Sequence, residues 1–242
     1  MEDFKPTNND GGILRRIFDL PVASVYRGIL PFVKKLSVSH NNGKVVDVGC
    51  GSKPYKKLFE SHGWTYEGID MENSENQFGY HADDVIYFDG VTFPEKDASV
   101  EMVFHSEVIE HVLDTRHFLS ECSRILKPNG ILLFASPFNV RYHYIPYDYW
   151  RLTPTTLRLL CEEQGLEVME IVPRCRDICL AGYKVLTIGY RLFFSKCWWR
   201  IILSVIFSPL WVLALLVGQI SLHLDIGSEY DSLGYIVYCR KK

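Results

Sequence analysis

The stretch Val45-Val46-Asp47-Val48-Gly49-Cys50-Gly51-Ser52-Lys53-Pro54 is the part of this 242-residue chain that decides its fold. Its valines suit a strand that is buried on both faces, as the strands of parallel sheets are. Gly49 and Gly51 allow a sharp turn after the strand and let a ligand approach the main-chain amides. Pro54 suits the first turn of a following helix, where no amide hydrogen is needed. The stretch therefore predicts a strand, a glycine turn and a helix start beside a ligand.

A second strand follows and ends on a carboxylate, in Gly68-Ile69-Asp70. Asp70 lies 19 residues beyond Gly51, close to the spacing at which an acidic side chain accepts hydrogen bonds from a ribose. A dinucleotide site of the form G-x-G-x-x-G needs a third glycine for close helix packing, and neither Tyr55 nor its neighbours supply one. The pattern therefore favours a nucleotide-type cofactor and argues against a dehydrogenase.

Four segments in chain order carry a family resemblance. Asp47-x-Gly49-x-Gly51 resembles the first motif, D/E-x-G-x-G-x-G, of the class I S-adenosylmethionine-dependent methyltransferases, with Lys53 in place of the third glycine. Three later segments are similar to D-x-x-x-LPF-x-D-x-SFD, EVLEHV and R-x-LKPGG of the methyltransferases called type 11. These segments are Asp89–Val100, Glu107–Val112 and Arg124–Gly130. Beyond them, the loop from Pro137 to Thr153 resembles relatives found with bacterial surface-glycan enzymes.

The resemblance implies where the cofactor binds. Gly49 and Gly51 would border its methionine portion, Asp70 would bind the ribose, Asp89 would meet the adenine, and the chain around His105 would close over it. For Asp89, a turn-forming aspartate is the alternative. The full set of cofactor-binding residues implied by the resemblance is Asp47, Gly49, Cys50, Gly51, Asp70, Met71, Asp89, Gly90 and His105.

From Lys44 onward the sequence alternates strands with helices, which predicts a parallel sheet with right-handed crossovers. Strands are expected at Lys44–Val48, Tyr66–Asp70, Asp84–Phe88, Glu101–His105, Ile131–Ser136, Glu167–Val172 and Tyr235–Cys239. The last of these resembles the antiparallel final strand of a methyltransferase. The predicted fold class is α/β: a Rossmann-like, doubly wound seven-stranded sheet, mostly parallel with an antiparallel last strand, helices on both faces and a hydrophobic helical insertion before that strand.

The predicted organisation has four parts. Residues 1–42 form an N-terminal helical cap, 43–196 the methyltransferase core, 197–227 the hydrophobic helical insertion and 228–242 the last strand of the core. Within the cap, Ile13–Leu36 predicts one or two amphipathic helices broken at Leu20-Pro21, with Pro31 capping or kinking the next turn. Such helices cover the cofactor in the resembling family. A membrane-surface role and simple packing on the sheet are the alternatives.

An uncharged segment of 22 residues, Ile201–Leu222, is a transmembrane candidate by length and hydropathy. A single crossing would place the last strand on the far side of the bilayer from its partner strands. Pro209 divides the segment into two pieces, each too short for a hydrocarbon core of about 30 Å. We therefore expect a monotopic helical hairpin over 197–222, with a dimerisation surface, a buried apolar cover or a true span as alternatives. The tryptophans expected at the membrane interface are Trp198, Trp199 and Trp211.

Charge and cysteine content restrict the possible partners and compartment. The net charge of −3 argues against nucleic acid as the main partner. The seven cysteines form no CxxC pair, and we expect reduced core thiols of a cytoplasmic protein. Met1–Asn9 is polar and shows no secretory signal. The expected location is the cytoplasm, peripherally on the inner face of the membrane, with a homodimer left open.

Several candidates for catalysis lie at or beyond the carboxyl ends of the fourth and fifth strands, the edge at which open α/β sheets bind ligands. An unactivated hydroxyl is a poor nucleophile, so a base within hydrogen-bond reach would help. The candidate catalytic residues are His111, His143 and Asp148, with His105 as a further candidate base. The aromatic and polar loop around His143 suits a carbohydrate or a charged headgroup. It equally suits a hydrogen-bonded loop without a ligand.

A divalent metal ion is a further expectation. Glu107, Glu110 and His111 would share one helical face, and His143 from the next loop would add a second imidazole. A similar E-x-x-E-H arrangement with a later histidine occurs in metal-assisted methyltransferases that act on vicinal hydroxyls of RNA ends or of quinone precursors. A bound metal would lower the pKa of an attacking hydroxyl. The alternative is that these residues brace a helix start, as in metal-free relatives.

The expected function is S-adenosylmethionine-dependent methyl transfer. The loop chemistry and the hydrophobic segment favour a hydroxyl oxygen of a glycan or lipid-linked sugar at the membrane as the acceptor. A quinone or other small-molecule O-methyltransferase is one alternative. A non-catalytic cofactor-binding or partner subunit is the other.

Overall fold

The computed structural model describes residues 13–39, 42–79 and 81–242; the start of the predicted cap lies outside these residues. One sheet contains β1 Lys44–Val48, β2 Thr65–Met71, β3 Val85–Phe88, β4 Val100–Ser106, β5 Leu126–Pro137, β6 Leu166–Arg176 and β7 Ser232–Lys241. The strand order is β3-β2-β1-β4-β5-β7-β6, and β7 runs antiparallel to both of its neighbours. The other neighbouring pairs are parallel. The predicted fold class is confirmed, and each expected strand is present, with the fifth, sixth and seventh about twice as long as predicted.

Helices cover both faces of this sheet. They are α1 Ile13–Phe18, α2 Leu20–Ser39, α3 Lys56–Glu60, α4 Ser74–Phe78, α5 Thr115–Ile125, α6 Pro154–Glu163, α7 Asp177–Phe193, α8 Trp198–Ile206 and α9 Ser208–Leu224. Asp114 caps α5 by accepting from the amide of His117 at 3.0 Å. Pro54 lies in the turn before α3, because that helix begins only at Lys56.

The core has two layers because successive strand residues point to opposite faces of the sheet. Val46 packs in the layer that holds Leu119 of α5 and Leu157 of α6. Val45 packs in the opposite layer, with Ile29 of α2 and other apolar residues of α2 and α3. The run of valines therefore supplies apolar side chains to both layers, which suits the interior position of β1 in the sheet.

The helix break near the N-terminus differs by one residue from the prediction. It falls at Asp19, whose Oδ1 accepts from the amide of Val22 at 3.3 Å. Pro21 then occupies the first turn of α2, where a proline removes no helical hydrogen bond. Pro31 lies inside α2, which continues past it to Ser39.

We call α7, α8 and α9 the apolar arm. Gly182 of α7 lies so close to α9 that an added Cβ would be 2.7 Å from the carbonyl oxygen of Ala214. Among the residues that the structure describes, no single helix is long and apolar enough to cross a membrane; α8 and α9 meet these criteria only together, as a pair bent by 57°. Pro209 lies in the first turn of α9, so the chain bends close to the predicted break, and the monotopic attachment of this hairpin to a membrane stays a prediction.

The prediction of seven reduced core cysteines is also wrong. Cys175 and Cys179 form a disulfide, because the turn from β6 into α7 brings their Cα atoms to 5.1 Å. Cys197 is exposed at the start of α8, and the remaining cysteines are buried thiols.

Candidate functional site

A cavity of about 920 Å³ opens at the carboxyl ends of β1, β2 and β4. The strand order reverses between β1 and β4, so this is the topological switch point at which open α/β sheets bind ligands. The cavity wall includes most of the residues that the sequence assigns to the cofactor: Asp47, Gly49, Cys50, Gly51, Asp70 and Met71. Residues 18–22 and Val25 also line it, so the N-terminal helices cover part of the site.

The glycine turn has the backbone that its sequence predicts. Gly49 and Gly51 have φ angles of +67° and +51°. An added Cβ on Gly49 would lie 2.7 Å from a methyl carbon of Val108, so no larger residue fits there without displacing its neighbour. Lys53, at the position of the family's third glycine, has a φ of +58°. The departure from the motif therefore changes the side chain while the backbone stays in the region that glycine favours.

Two carboxylates flank this turn. The amide of Gly51 donates to Oδ2 of Asp70 at 2.9 Å, and the amide of Met71 donates to Oδ1 at 2.8 Å. Asp47 is 2% exposed and accepts from the hydroxyl of Tyr66 at 2.6 Å. Burial raises the pKa of Asp47 to about 8, with further repulsion from Asp70. Asp70 thus faces the cavity in a fixed orientation, and its role toward a ribose stays a prediction.

The positions of Asp89 and Gly90 agree with the turn alternative. Oδ1 of Asp89 accepts from the amides of Val91 and Thr92 at 2.8 and 2.9 Å. Neither Asp89 nor Gly90 lines the cavity, and both are exposed. Their prediction as cofactor contacts is therefore not supported, because the carboxylate is engaged in closing its own turn.

His105 corrects another prediction. Its side chain is fully buried and stacks on Phe134 at 4.5 Å between ring centroids, with Phe118 of α5 at its edge. Burial lowers the pKa of His105 to about 3, which keeps the ring neutral. Side chains alternate along β4, so His105 points into the α5 layer while Ser106 lines the cavity. The histidine is a core residue and does not reach a ligand in the cavity.

The expected helix after β4 is a single 3-10 turn, Ile109–His111. Glu107 lies before it with a φ of +57°, so it does not share a helical face with Glu110 and His111. Instead, Oε1 of Glu107 accepts from Nη2 of Arg174 at 2.6 Å. Glu107 lines the cavity, but its prediction as a metal ligand is wrong, because the buried guanidinium holds its carboxylate.

The remaining predicted metal ligands do come together. One ligand atom from each of Glu110, His111 and His143 lies within 4.8 Å of the others. The loop between β5 and α6 wraps the 3-10 turn, because the amide of Tyr149 donates to the carbonyl of Glu110 at 2.8 Å. Nδ1 of His111 lies 2.8 Å from the carbonyl of Tyr147. A carbonyl only accepts, so Nδ1 carries the proton and Nε2 keeps a lone pair.

Glu110 is the unusual member of this cluster. It is 1% exposed, and neither carboxylate oxygen has a hydrogen-bond partner among the described residues. Burial raises its pKa well above the ordinary value, with further repulsion from Glu107. Burial also lowers the pKa of His111 to about 4. A buried carboxylate without partners beside two imidazoles is a donor set that fits a divalent cation.

Asp148 supports the cluster without lining the cavity. Its carboxylate accepts two hydrogen bonds from Arg151 at 2.6 and 2.7 Å and lies 3.0 Å from Nδ1 of His143. Although burial opposes ionisation, the bonds from Arg151 hold the pKa of Asp148 below its usual value. The structure therefore makes Asp148 a residue that orients His143, and its prediction as a base is corrected. His111 and His143 both face the cavity.

Three features escape analysis of the sequence. Arg174 lies 67 residues from its partner Glu107, so no local motif connects them. Tyr66 is a diagonal neighbour of Asp47 on the adjacent strand, which strand register would have indicated. The cavity also continues between the helices of the apolar arm, and Trp211 faces it there. This tryptophan is not at the predicted interface, because its Nε1 donates to the carbonyl of Ser204 at 2.9 Å and its ring packs on Gly189.

Comparison with known proteins identifies a methyltransferase domain within the chain. A family model described as a methyltransferase domain matches residues 46–134. A protein named as a probable S-adenosylmethionine-dependent methyltransferase of Mycolicibacterium smegmatis is 29% identical over 133 residues, covering 51% of this chain and 52% of the relative. A ubiquinone biosynthesis O-methyltransferase of Pasteurella multocida is 28% identical over 110 residues, covering 38% of this chain and 46% of the relative. The chain thus spans about half the length of these curated relatives.

Solved structures agree on the fold. A SAM-dependent methyltransferase from Archaeoglobus fulgidus superposes with a TM-score of 0.52 at 19% identity, over 90% of this chain and 97% of that chain. The [4+2]-cyclase SpnF superposes with a TM-score of 0.51 at 16% identity, over 88% and 79%. Likeness at such low identity establishes the fold alone. Together with the sequence matches and the motifs at the sheet's switch point, it identifies residues 46–134 as a methyltransferase domain with the fold of the S-adenosylmethionine-dependent methyltransferases.

Proposed function

We propose that this chain transfers a methyl group from S-adenosylmethionine to a hydroxyl oxygen of a glycan or lipid-linked sugar. The observation that carries the proposal is the position of His111 and His143, which face the same cavity as the glycine turn and Asp70. Relatives named as ubiquinone biosynthesis O-methyltransferases support oxygen as the methylated atom. A quinone-type acceptor is the alternative that the experiment below separates.

The chain's own residues would supply positioning and proton transfer. The bound cofactor supplies a methyl group that is already activated, so alignment of the nucleophile contributes most of the rate. Gly49 and Gly51 offer a turn without Cβ atoms, and Asp70 offers carboxylate lone pairs at the cavity wall. Nε2 of His111 keeps a lone pair directed away from its hydrogen bond to Tyr147; this lone pair can accept the proton of an acceptor hydroxyl when no metal is bound, and it is the metal-binding atom when one is.

A divalent metal ion belongs to the same proposal. Glu110, His111 and His143 would hold it, and the buried carboxylate of Glu110, which has no hydrogen-bond partner in the described part of the chain, supports this fit. Such an ion lowers the pKa of a hydroxyl bound to it. Neutral imidazoles are the form that ligates, and the lowered pKa of both histidines keeps them neutral near pH 7.

We further propose that the apolar arm attaches the protein to an anionic membrane surface. Trp198 and Trp199 are 72% and 47% exposed, and apolar side chains along α8 and α9 continue this surface. Arg191 and Arg200 flank it with positive charge. Flotation with phosphatidylglycerol vesicles tests the attachment, with phosphatidylcholine vesicles as the control. A protein that forms dimers and ignores both vesicle types would instead favour a second copy on this face.

The cofactor part of the proposal is tested by calorimetry with S-adenosylhomocysteine. Wild type should bind, and Asp70→Ala should weaken binding by about tenfold or more, because the carboxylate that faces the ligand is lost. Glu72→Ala, an exposed carboxylate just beyond β2, is the matched control and should bind as wild type does. Wild type that takes up no S-adenosylhomocysteine would contradict the proposal.

The acceptor is tested with methyl-labelled S-adenosylmethionine and a crude membrane lysate, followed by mass spectrometry of the labelled products. A labelled hydroxyl on a sugar supports the proposal. A labelled quinone precursor would overturn the acceptor class while leaving the methyl transfer intact. Parallel reactions with and without Mn²⁺ test the metal, together with Glu110→Ala and His143→Ala.

A further inference from the structure

The cavity extends well beyond the space around the glycine turn. It runs from the polar end, at Asp70 and His111, to a section between the helices of the apolar arm. Its volume of about 920 Å³ lies near the top of the range of about 300–1,000 Å³ for the site of one drug-sized ligand. Different residues line the polar end and the arm section, so one cofactor at the polar end leaves the arm section for another ligand group.

The wall of the arm section carries no charged side chain among the described residues of α7, α8 and α9. Its main apolar members are Leu186, Phe193, Phe194, Val205 and Trp211.

Three polar side chains of this section already hydrogen-bond within the arm. The hydroxyl of Thr187 donates to the carbonyl of Tyr183 at 2.9 Å, and that of Ser204 donates to the carbonyl of Gly189 at 3.0 Å. The indole nitrogen of Trp211 donates to the carbonyl of Ser204. Because these three groups are satisfied internally and the other main members of the wall are apolar, the section favours an apolar occupant over a polar one.

The mouth of this section lies on the exposed apolar face of the arm. Phe193, Phe194 and Val205 line the cavity and are also 50%, 61% and 57% exposed. The surface beside them includes the exposed side chains of Trp198 and Ile206. An apolar chain that enters here therefore comes from an apolar surface and meets water only briefly.

We infer that the arm section of the cavity holds the long apolar chain of an amphiphilic acceptor. The chain enters between α7 and α8, and the polar headgroup lies at the end that Asp70, His111 and His143 line. This inference rests on the proposed function, which it refines from a hydroxyl acceptor to one that carries a hydrocarbon or isoprenoid chain. The inference also gives a reason for the position of the apolar arm, whose helices line the cavity.

Binding of dansyl-labelled undecanoic acid to the full chain tests the inference. Wild type should bind the probe saturably with increased dansyl fluorescence, and geranylgeraniol should compete. Val205→Trp fills the mouth and should weaken binding by about tenfold or more. Ile206→Trp changes the next residue, which is 62% exposed and does not line the cavity, and should stay within about twofold of wild type.

Calorimetry with S-adenosylhomocysteine on the same proteins separates the two proposals. Two outcomes overturn this inference alone, provided that the protein still binds the cofactor. In the first, binding of the dansyl probe to wild type does not saturate; in the second, both tryptophan variants weaken probe binding equally. Absent cofactor binding contradicts the proposed function, whatever the probe does. Photocrosslinking of a diazirine-labelled palmitic acid to wild type locates the bound chain directly, and it needs no variant that could misfold. Crosslinks to Phe193, Phe194 or Val205 support the inference, and crosslinks confined to the outer face of α9 contradict it.

Discussion

Arg174 donates from Nη2 to Oε1 of Glu107 at 2.6 Å, and the arginine side chain is only 1% exposed. The same guanidinium donates to the hydroxyl of Ser24 at 3.0 Å. It therefore connects β6, α2 and the loop after β4. Because it holds Glu107 at the cavity wall, the histidine cluster keeps one carboxylate, Glu110, instead of two.

Replacing Arg174 by methionine should lower the free energy of unfolding by about 3 kcal/mol, because it leaves the Glu107 carboxylate without its partner. Urea denaturation measures the change. Arg176→Met is the matched control, since Arg176 pairs with Asp225, whose side chain is 72% exposed, and such surface pairs contribute less than about 1 kcal/mol. Equal decreases in the free energy of unfolding of the two variants would show that the buried pair stabilises the protein no more than the surface pair does.

Asp47 should make the ligand-free protein less stable as the pH rises. Its folded pKa of about 8 lies above an unfolded value of about 3.9, so the folded state retains a proton that the unfolded state releases. Its contribution to stability is therefore full below about pH 4, falls between about pH 4 and pH 8, and is lost above. Asp47→Asn should flatten this dependence, measured by urea midpoints at several pH values. Asp83→Asn, at an exposed position, should leave the wild-type slope, and an unchanged slope in Asp47→Asn would contradict the argument.

Substitutions of Lys53 test whether this position keeps the backbone conformation that glycine favours. Lys53 has a φ of +58°, which glycine adopts without strain. Lys53→Gly should therefore preserve the free energy of unfolding or raise it by up to about 1 kcal/mol. Lys53→Val should lower stability by about 1–3 kcal/mol, since a β-branched residue is strained there. Thermal unfolding measures both variants. A valine variant as stable as the glycine variant would mean that the turn relaxes.

Glu110→Gln should affect stability and metal binding in opposite directions. Without metal, the change removes a carboxylate that is buried and has no hydrogen-bond partner, so the free energy of unfolding should stay level or rise. With Mn²⁺, affinity should fall by about tenfold or more, because an oxygen ligand loses its charge. Calorimetry with Mn²⁺ and thermal unfolding check the two effects. Glu121→Gln, at a buried glutamate that Arg124 neutralises, should instead lose stability and leave Mn²⁺ binding unchanged.

The fold was predictable because its determinants are local. Alternation of valine-rich strands with capped helices is set by side-chain size and by hydrogen bonding within a few residues, as at Asp114 and Thr153. The site was predictable only in part. Gly49, Gly51 and Asp70 follow directly from β1 and β2, whereas strand alternation turns His105 into the core and turn closure engages the carboxylate of Asp89.

The sequence by itself determined the glycine turn, the carboxylate after the second strand and the apolar composition of the arm. These features arise from covalent geometry and local polarity, which need no distant partner. Only the tertiary structure decided that Glu107 pairs with Arg174 instead of joining Glu110, His111 and His143, and that the helices of the apolar arm extend the cavity. Both depend on contacts between residues far apart in the chain, and such contacts form only when whole helices and strands pack against one another.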